Sequence, residues 1–308
     1  MDANTTAGSP SFFGFAYSPD QLKLLELLKE SKSKKKKSAK LILMTAPSFV
    51  VDFDYKKFAP LARGLGFDKV TELTFGAKIV NQHYHKYIGE KKHSQAKFIS
   101  SVCPASVDLV KNQFPKFKKF LLPFDSPMIA MAKVLKKTYP KHKIVFAAPC
   151  SAKKTEALSF NKINKKVLID CVVTFSELKQ IFAKEKPALK GSNTFDSFYN
   201  EYTKVYPLAG GLSATLHAKD ILSKKELVSC DGCNNLQTLF NAHSDKTFYD
   251  ILFCKGGCIG GNGVASKAPT FLKKRRVLNY KKAASRIKEG QKMGIEKYTK
   301  GIDFGRGL

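Results

Sequence analysis

The sequence predicts an α/β protein of mostly parallel sheets flanked by helices, and three observations carry that expectation. Short apolar runs alternate with segments of helical periodicity over most of the chain. The 308 residues, 43% of them hydrophobic, suffice for one large domain or two closely packed lobes with a substantial core. Cys103, Cys150 and Cys254 each follow the end of an apolar run, and open α/β folds collect ligands at the carboxyl ends of their strands.

In order, SPDQLKLLELLKE (18–30) reads as a short amphipathic helix, followed by the lysine run SKSKKKKSAK, an exposed linker. Residues 1–40 are accordingly expected to form an N-terminal adapter, and 41–308 the main unit. A buried strand begins at LILMTAP (41–47), then VTELTF (70–75) leads into a helix from about Gly76. KFISSV (97–102) precedes a helix over SVDLVKNQF (106–114), and SPMIAMAKVLKKTYP (126–140) is helical. Strands follow at KIVFAAP (143–149) and VLIDCVVTF (167–175), the latter running into the helix SELKQIFAKE. ELVSC (226–230) leads to a helix over NNLQTLF, and FYDILF (248–253) ends in a glycine-rich loop.

Composition narrows the function classes. No basic start followed by an apolar core resembles a signal peptide, and no run approaches the ~18 apolar residues of a membrane span. A cytoplasmic location is expected. Seven cysteines in so long a chain point to metal ligation, redox chemistry or burial rather than a disulfide framework. The 54 Lys+Arg against 25 Asp+Glu give a formal +29. Clusters at 34–37 and 273–276 have no helix-turn-helix, zinc-finger or RNP pattern beside them, so nucleic acid is not the expected partner. A solvated lysine surface and a patch for an acidic partner remain as alternatives.

The loop FCKGGCIGGNG (253–263) admits three readings. It lacks the Gly-Lys-Ser/Thr ending of a phosphate loop. With Cys230 and Cys233 it approaches a zinc-ribbon spacing, but with three residues rather than two in its second pair. Thiolates also suit an iron–sulfur cluster, whose sulfides accept backbone N–H bonds from a chain that approaches without side chains. Gly256, Gly257, Gly260, Gly261 and Gly263 meet that demand, and Cys103 and Cys150 supply two further thiolates.

SSVCPASVDLVKNQFP (100–115), APCSAKKTEA (148–157) and FCKGGCIGGNG resemble, in order and spacing, the three cluster-binding motifs of iron-only (FeFe) hydrogenases. TAPS (45–48), SPM (126–128), VTFSEL (173–178) and the pair Gly210-Gly211 support the match, which covers roughly residues 40–300. The resemblance implies two lobes with the family's H-cluster between them. Cys103, Cys150, Cys254 and Cys258 match the ligands of its 4Fe–4S part. Cys258 also matches the bridge to a diiron subcluster carrying CO, cyanide and a dithiolate amine. Lys153 matches the hydrogen-bond donor to one cyanide, and a buried ammonium beside that anion is a sensible pair. Ala46, Pro47 and Ser126 match pocket positions, and Gly257 lies in the cluster loop. The implied catalytic residues are Cys258, Lys153 and Ser126, and the implied cofactor-binding residues Ala46, Pro47, Lys153 and Gly257.

The activity implied is reversible interconversion of protons and electrons with H2. No further Cys-x2-Cys runs precede Cys103, so electrons are expected from an external ferredoxin-like carrier, whose acidity would suit the basic surface. Maturation enzymes are implied for the diiron group. The family's fast members carry a proton-transferring cysteine where this chain has Val102, pocket methionines where it has Ala148 and Leu252, and acidic residues in the stretch NQHYHKYIG. A modified proton path or slow turnover follows. His83 and His85 read as surface or satisfied histidines, Cys171 as strand core, and Cys230 and Cys233 as a strand-to-helix turn. A low-turnover H2 sensor, a protein holding only a 4Fe–4S cluster, and a zinc-bearing nucleic-acid binder are the alternative readings.

Overall fold

A computed structural model describes residues 17–33, 39–198, 202–242, 245–284 and 295–307. The lysine cluster at 34–37 lies outside them. Helix α1 (Pro19–Ser31) starts at a capping box: Ser18 Oγ accepts the Gln21 N–H while the Gln21 side chain accepts the Ser18 N–H. Leu24, Leu27 and Leu28 of α1 are buried in the main core, so this helix shares the hydrophobic centre of the residues that follow it.

Strand β1 (Leu41–Thr45), helix α2 (Tyr55–Leu65) and strand β2 (Lys69–Glu72) open the larger lobe. Helix α3 (Thr74–Lys91) begins two residues before Gly76, because the chain leaves the sheet at Glu72. Gly76 is instead a crossing point. A Cβ there would collide with Pro127 O and with Met131 of the helix lying across α3.

Strand β3 (Phe98–Ile99) is only two residues long. Ser101 leaves the ladder: its N–H donates to the Tyr84 hydroxyl at 2.8 Å, and the Ser100 hydroxyl accepts the Ile251 N–H at 3.0 Å. Helices α4 (Pro104–Gln113) and α5 (Pro127–Thr138) follow, the second capped by Ser126 Oγ. Strand β4 (Lys143–Ala148), helix α6 (Ala152–Ile163), strand β5 (Cys171–Thr174) and helix α7 (Phe175–Glu185) come next. β5 is shorter than the apolar run that announces it, since Asn161 binds the backbone of Leu168 and Ile169 and holds them outside the sheet.

The remainder comprises α8 (Gly211–Thr215), β6 (Leu227–Asp231), α9 (Cys233–Asn241), β7 (Phe248–Leu252), α10 (Thr270–Ala284) and α11 (Ile295–Thr299). Four strands pair in parallel in the order β2-β1-β4-β5, and three in the order β3-β7-β6, also parallel. The fold is therefore mixed α/β with parallel sheets flanked by helices. Helices α1, α2 and α7 pack on the larger sheet, and α4 and α9 on the smaller.

Strand β7 divides its side chains between two cores, as the period of two requires. Phe248 and Leu252 join the main core, while Tyr249 and Ile251 join a second one with Val107, Val110, Leu236 and Phe240. A buried ion pair, Glu72 with Lys204, is capped by the Tyr280 hydroxyl and ties β2 to α10. No described helix is long and apolar enough to cross a membrane.

Candidate functional site

Three of the expected thiols do stand just beyond strand ends. Cys103 is the N-cap residue of α4, with Pro104 preset at the first helical position. Cys150 follows β4 through Pro149, and Cys254 lies two residues past β7. Cys258 sits in the turn after Gly256 and Gly257, whose φ of 82° and 80° lie in the left-handed region open to glycine. Its N–H donates to Pro207 O at 2.7 Å.

The bareness of this loop has a cause within the protein itself. Cβ atoms at Gly257, Gly260 and Gly261 would collide with the carbonyls of Pro207, Lys255 and Pro149. Gly263 N–H donates to Pro149 O at 2.8 Å, so the chain beside Cys150 and the chain beyond Cys258 run against each other backbone to backbone. The glycines are filled by protein, and the room for a ligand lies elsewhere.

That room is a cavity of about 640 Å³ of empty space, part of it open to solvent. Its wall includes Ala46, Pro47, Val102, Cys103, Cys150, Lys153, Tyr206, Leu252 and Cys258. Ser126, Gly257 and Cys254 are not in the wall. Ser126 caps α5 and its neighbour Pro127 reaches the cavity; Ala148 stays in the core while Phe146 and Pro149 reach it. His83 and His85 are also absent from the wall. His83 lies against Phe124 and Phe304, and burial and Lys86 push its pKa down.

The four thiols are close enough to repel one another as thiolates. Burial first, then Cys103, Cys150 and Cys254, drives the Cys258 pKa far up, with only Lys153 opposing. Cys254 is pushed up to about 11 by burial, Cys103 and Cys150. Cys150 rises by burial and Cys103, against Lys153. Such a set does not ionise together in a buried place unless a cationic centre binds it. Soft donors around an apolar cavity fit an iron–sulfur group. Among the described residues, no three His, Cys, Asp or Glu side chains form a single-ion site.

Lys153 is 11% exposed at its side chain and reaches two acceptors, Glu156 Oε2 at 2.7 Å and Val102 O at 3.4 Å. Glu156 escaped the sequence reading although its spacing of three along a helix marks it as a partner of Lys153. Tyr206 also escaped it: its buried hydroxyl has no hydrogen-bond partner among the described residues and lies near Cys258 and Asp250. Asp250 is buried, accepts the Ser213 N–H at 2.9 Å, and is raised to about 6 by burial.

Cys230 and Cys233 sit at the turn from β6 to α9, packed against the smaller core. Cys171 is buried in β5, its thiol raised to about 12 by burial and by nearby Asp20.

Residues 39–262 match the family model described as the iron only hydrogenase large subunit, C-terminal domain. The chain is 26% identical over 277 residues to iron hydrogenase 1 of Clostridium pasteurianum, covering 73% of this chain and 48% of that protein. It is 24% identical over 262 residues to the NADP-reducing hydrogenase subunit HndD of Solidesulfovibrio fructosivorans, covering 67% and 45%. The chain thus spans about half the length of these relatives. Its fold resembles that of an apo [FeFe]-hydrogenase HydA1 from Chlamydomonas reinhardtii, with a TM-score of 0.64 at 14% identity over 90% of this chain and 97% of that one.

Proposed function

The chain belongs to the iron-only hydrogenase large-subunit family, through its C-terminal domain, and from that premise we propose that it interconverts protons and electrons with H2 at an H-cluster. The observation that carries the reading is the gathering of Cys103, Cys150, Cys254 and Cys258 beside an apolar cavity that Lys153 enters. In this reading the four cysteines hold a 4Fe–4S cluster and the cavity receives a diiron subcluster with CO, cyanide and a dithiolate amine. When bound, that group supplies the redox-active iron and the basic amine at which H2 is split or formed.

The protein's own contribution is position and exclusion. Ala46, Pro47 and Leu252 keep the cavity apolar, which strengthens every charge interaction inside it. Lys153, positioned by Glu156, would supply a hydrogen-bond donor to an anionic ligand of the group. Cys258, the thiol in the cavity wall beside the other three, would hold iron of the group. Ser126 acts by capping α5 and so setting Pro127 in the wall. The catalytic unit is residues 41–308, with α1 packed onto it. Electrons come from an external ferredoxin-like carrier drawn to the basic surface, and maturation enzymes supply the diiron group, in the cytoplasm.

A low-turnover sensor is the second reading, favoured by one observation. Val102 lines the cavity where a proton-transferring thiol is expected. Anaerobic protein matured with the diiron precursor is expected to show CO and cyanide infrared bands and to turn over H2. Bands without turnover would select the sensor; iron and sulfide without bands would select a protein that holds only the cubane.

A further inference from the structure

Helix α10 follows the loop of Cys254 and Cys258 and carries more than its packing needs. Val277, Tyr280 and Ala284 recur at intervals of three and four and are buried, so they form the face on which the helix rests. Phe271, Lys274, Arg275 and Leu278 recur at the same intervals on the opposite face, and all four are exposed. Phe271 is 68% exposed and Leu278 43%. Single apolar side chains scattered over a surface need no explanation. Two on one helical stripe, with a lysine and an arginine between them, form a mixed patch.

The patch adjoins the cysteine loop. A Cβ at Gly256 would stand 2.7 Å from Thr270 Cγ2, so the first residue of α10 packs on the stretch between Cys254 and Cys258. Lys255, exposed within that stretch, continues the positive charge to the neighbour of Cys254. From Ile251 to Ala284 the sequence has eight Lys and Arg and no Asp or Glu. The carboxylates bonded to this region are spent on backbone donors: Asp231 accepts the Gly256 N–H, and Asp52 accepts those of Ala265 and Ser266. Among the described residues, no ion pair neutralises Lys255, Lys274 or Arg275.

Resting on the reading that electrons come from outside the chain, we propose that the exposed face of α10, with Lys255, is the docking surface for their carrier. That carrier is a small acidic protein whose carboxylates surround an exposed redox centre. Charge complementarity names it: a face with unneutralised cations and no free carboxylate steers an acidic partner and fixes its orientation. Phe271 and Leu278 add apolar contact at the centre of the patch. A patch this small suits a redox encounter, which has to end quickly and buries little surface. Position favours the carrier over lipid or nucleic acid. Neither of those gains from a site beside the cysteine loop, whereas an electron carrier has to come close to it.

The test needs no hydrogenase activity. A plant-type [2Fe–2S] ferredoxin is titrated calorimetrically into the full chain over a range of salt. Lys274→Glu with Arg275→Glu is expected to weaken binding about tenfold or more and to flatten its salt dependence. Lys162→Glu with Lys166→Glu makes the same change in net charge at exposed positions near the end of α6. That control is expected to leave binding within about twofold of wild type. Phe271→Ser is expected to speed dissociation and keep the salt dependence. Equal weakening by the two charge reversals overturns the docking face, because the attraction would then be diffuse. No binding by wild type overturns it as well. Phosphatidylserine-containing vesicles or duplex DNA, bound more tightly than the ferredoxin and released by the α10 reversal, would overturn the carrier and give the face to lipid or nucleic acid.

In matured protein, two reduced carriers and two protons give H2 and two oxidised carriers. The α10 reversal is expected to raise the KM for reduced ferredoxin about tenfold, with kcat within about twofold. Binding lost on the α10 reversal, in protein that shows no CO or cyanide bands, fails the hydrogenase reading alone. Full bands with binding indifferent to α10 fail the docking face alone.

Discussion

Asp231 accepts the backbone N–H of Gly256, so the turn bearing Cys230 and Cys233 holds the loop bearing Cys254 and Cys258. The nearby pair of cysteines therefore serves the site through the residue between them. Cys230→Ser and Cys233→Ser are expected to keep wild-type iron content, whereas serine at Cys103, Cys150, Cys254 or Cys258 removes it. Asp231→Ala leaves all four proposed ligands in place but frees a part-buried N–H, a loss of about 1–3 kcal/mol. Iron release to a chelator should then be several-fold faster than in wild type. Iron loss in Cys230→Ser, or unchanged release in Asp231→Ala, would contradict this division of labour.

Gly261 is a steric requirement of the same loop. A methyl group there would meet Pro149 O and, at 3.2 Å, Cys258 O, both backbone atoms that cannot swing aside. Gly261→Ala is expected to lower stability by about 1–3 kcal/mol and to push Cys150 away from Cys258. Gly301→Ala, where an added Cβ meets nothing but φ is 74°, should show only the smaller cost of backbone strain. Denaturant unfolding of the two variants, with iron content beside it, separates the effects.

The strands and three strand-end thiols were legible because both signals are local: an apolar run, then a cysteine. β3 is shorter than its apolar run suggests because Ser100 and Ser101 look like strand residues, while the Ser100 hydroxyl accepts from Ile251 and the Ser101 side chain and N–H are taken up by Leu122 and Tyr84. The glycine loop is legible as a loop of close approach, but only the fold reveals that the Pro149 and Pro207 carbonyls occupy the Cβ positions of Gly261 and Gly257. Arg306, which pairs with Glu156, stands 150 residues from it, and no periodicity connects them. Tyr206 and Asp250 become one neighbourhood only when β7 is laid between two cores.

The pair Glu72 and Lys204 is almost fully buried, and Lys204 donates to Tyr280 at 2.9 Å. Burial raises the Glu72 carboxyl even against its lysine partner. Lys204→Met would leave the buried carboxyl without its cationic partner and is expected to cost about 3–5 kcal/mol. The double variant Glu72→Gln with Lys204→Met should recover most of that loss. If the double variant is as unstable as the single one, packing of the lysine stem rather than its charge sets the stability.

Asp250 sets a slope of stability with pH. Its folded pKa, about 6, lies above the ordinary 3.8, so the native state holds the proton more tightly than the unfolded chain. The sign follows: its contribution is fully present below the unfolded value and is lost as pH rises to about 6. At 1.36 kcal/mol per unit this amounts to roughly 3 kcal/mol. Asp250→Asn should remove that part of the fall, leaving one of similar size from Asp125 in the same window. Unfolding free energies at pH 4 and pH 7, compared between wild type and variant, measure it; equal differences would show that Asp250 stays ionised.

Val102 is the residue through which the reading of function is most directly tested. It is 6% exposed and lines the cavity, and its carbonyl accepts from Lys153 at 3.4 Å. Valine and cysteine differ little in volume, so Val102→Cys is expected to cost under about 1.5 kcal/mol and to leave the cavity wall in place. What changes is chemistry: a thiol exchanges a proton, and two methyl groups do not. If proton delivery limits turnover, the matured variant should exceed wild type by about tenfold or more and gain a pH dependence with a thiol's pKa. Turnover unchanged by Val102→Cys in protein with full CO and cyanide bands would place the limit in electron supply, because every other part of the cavity wall is the same.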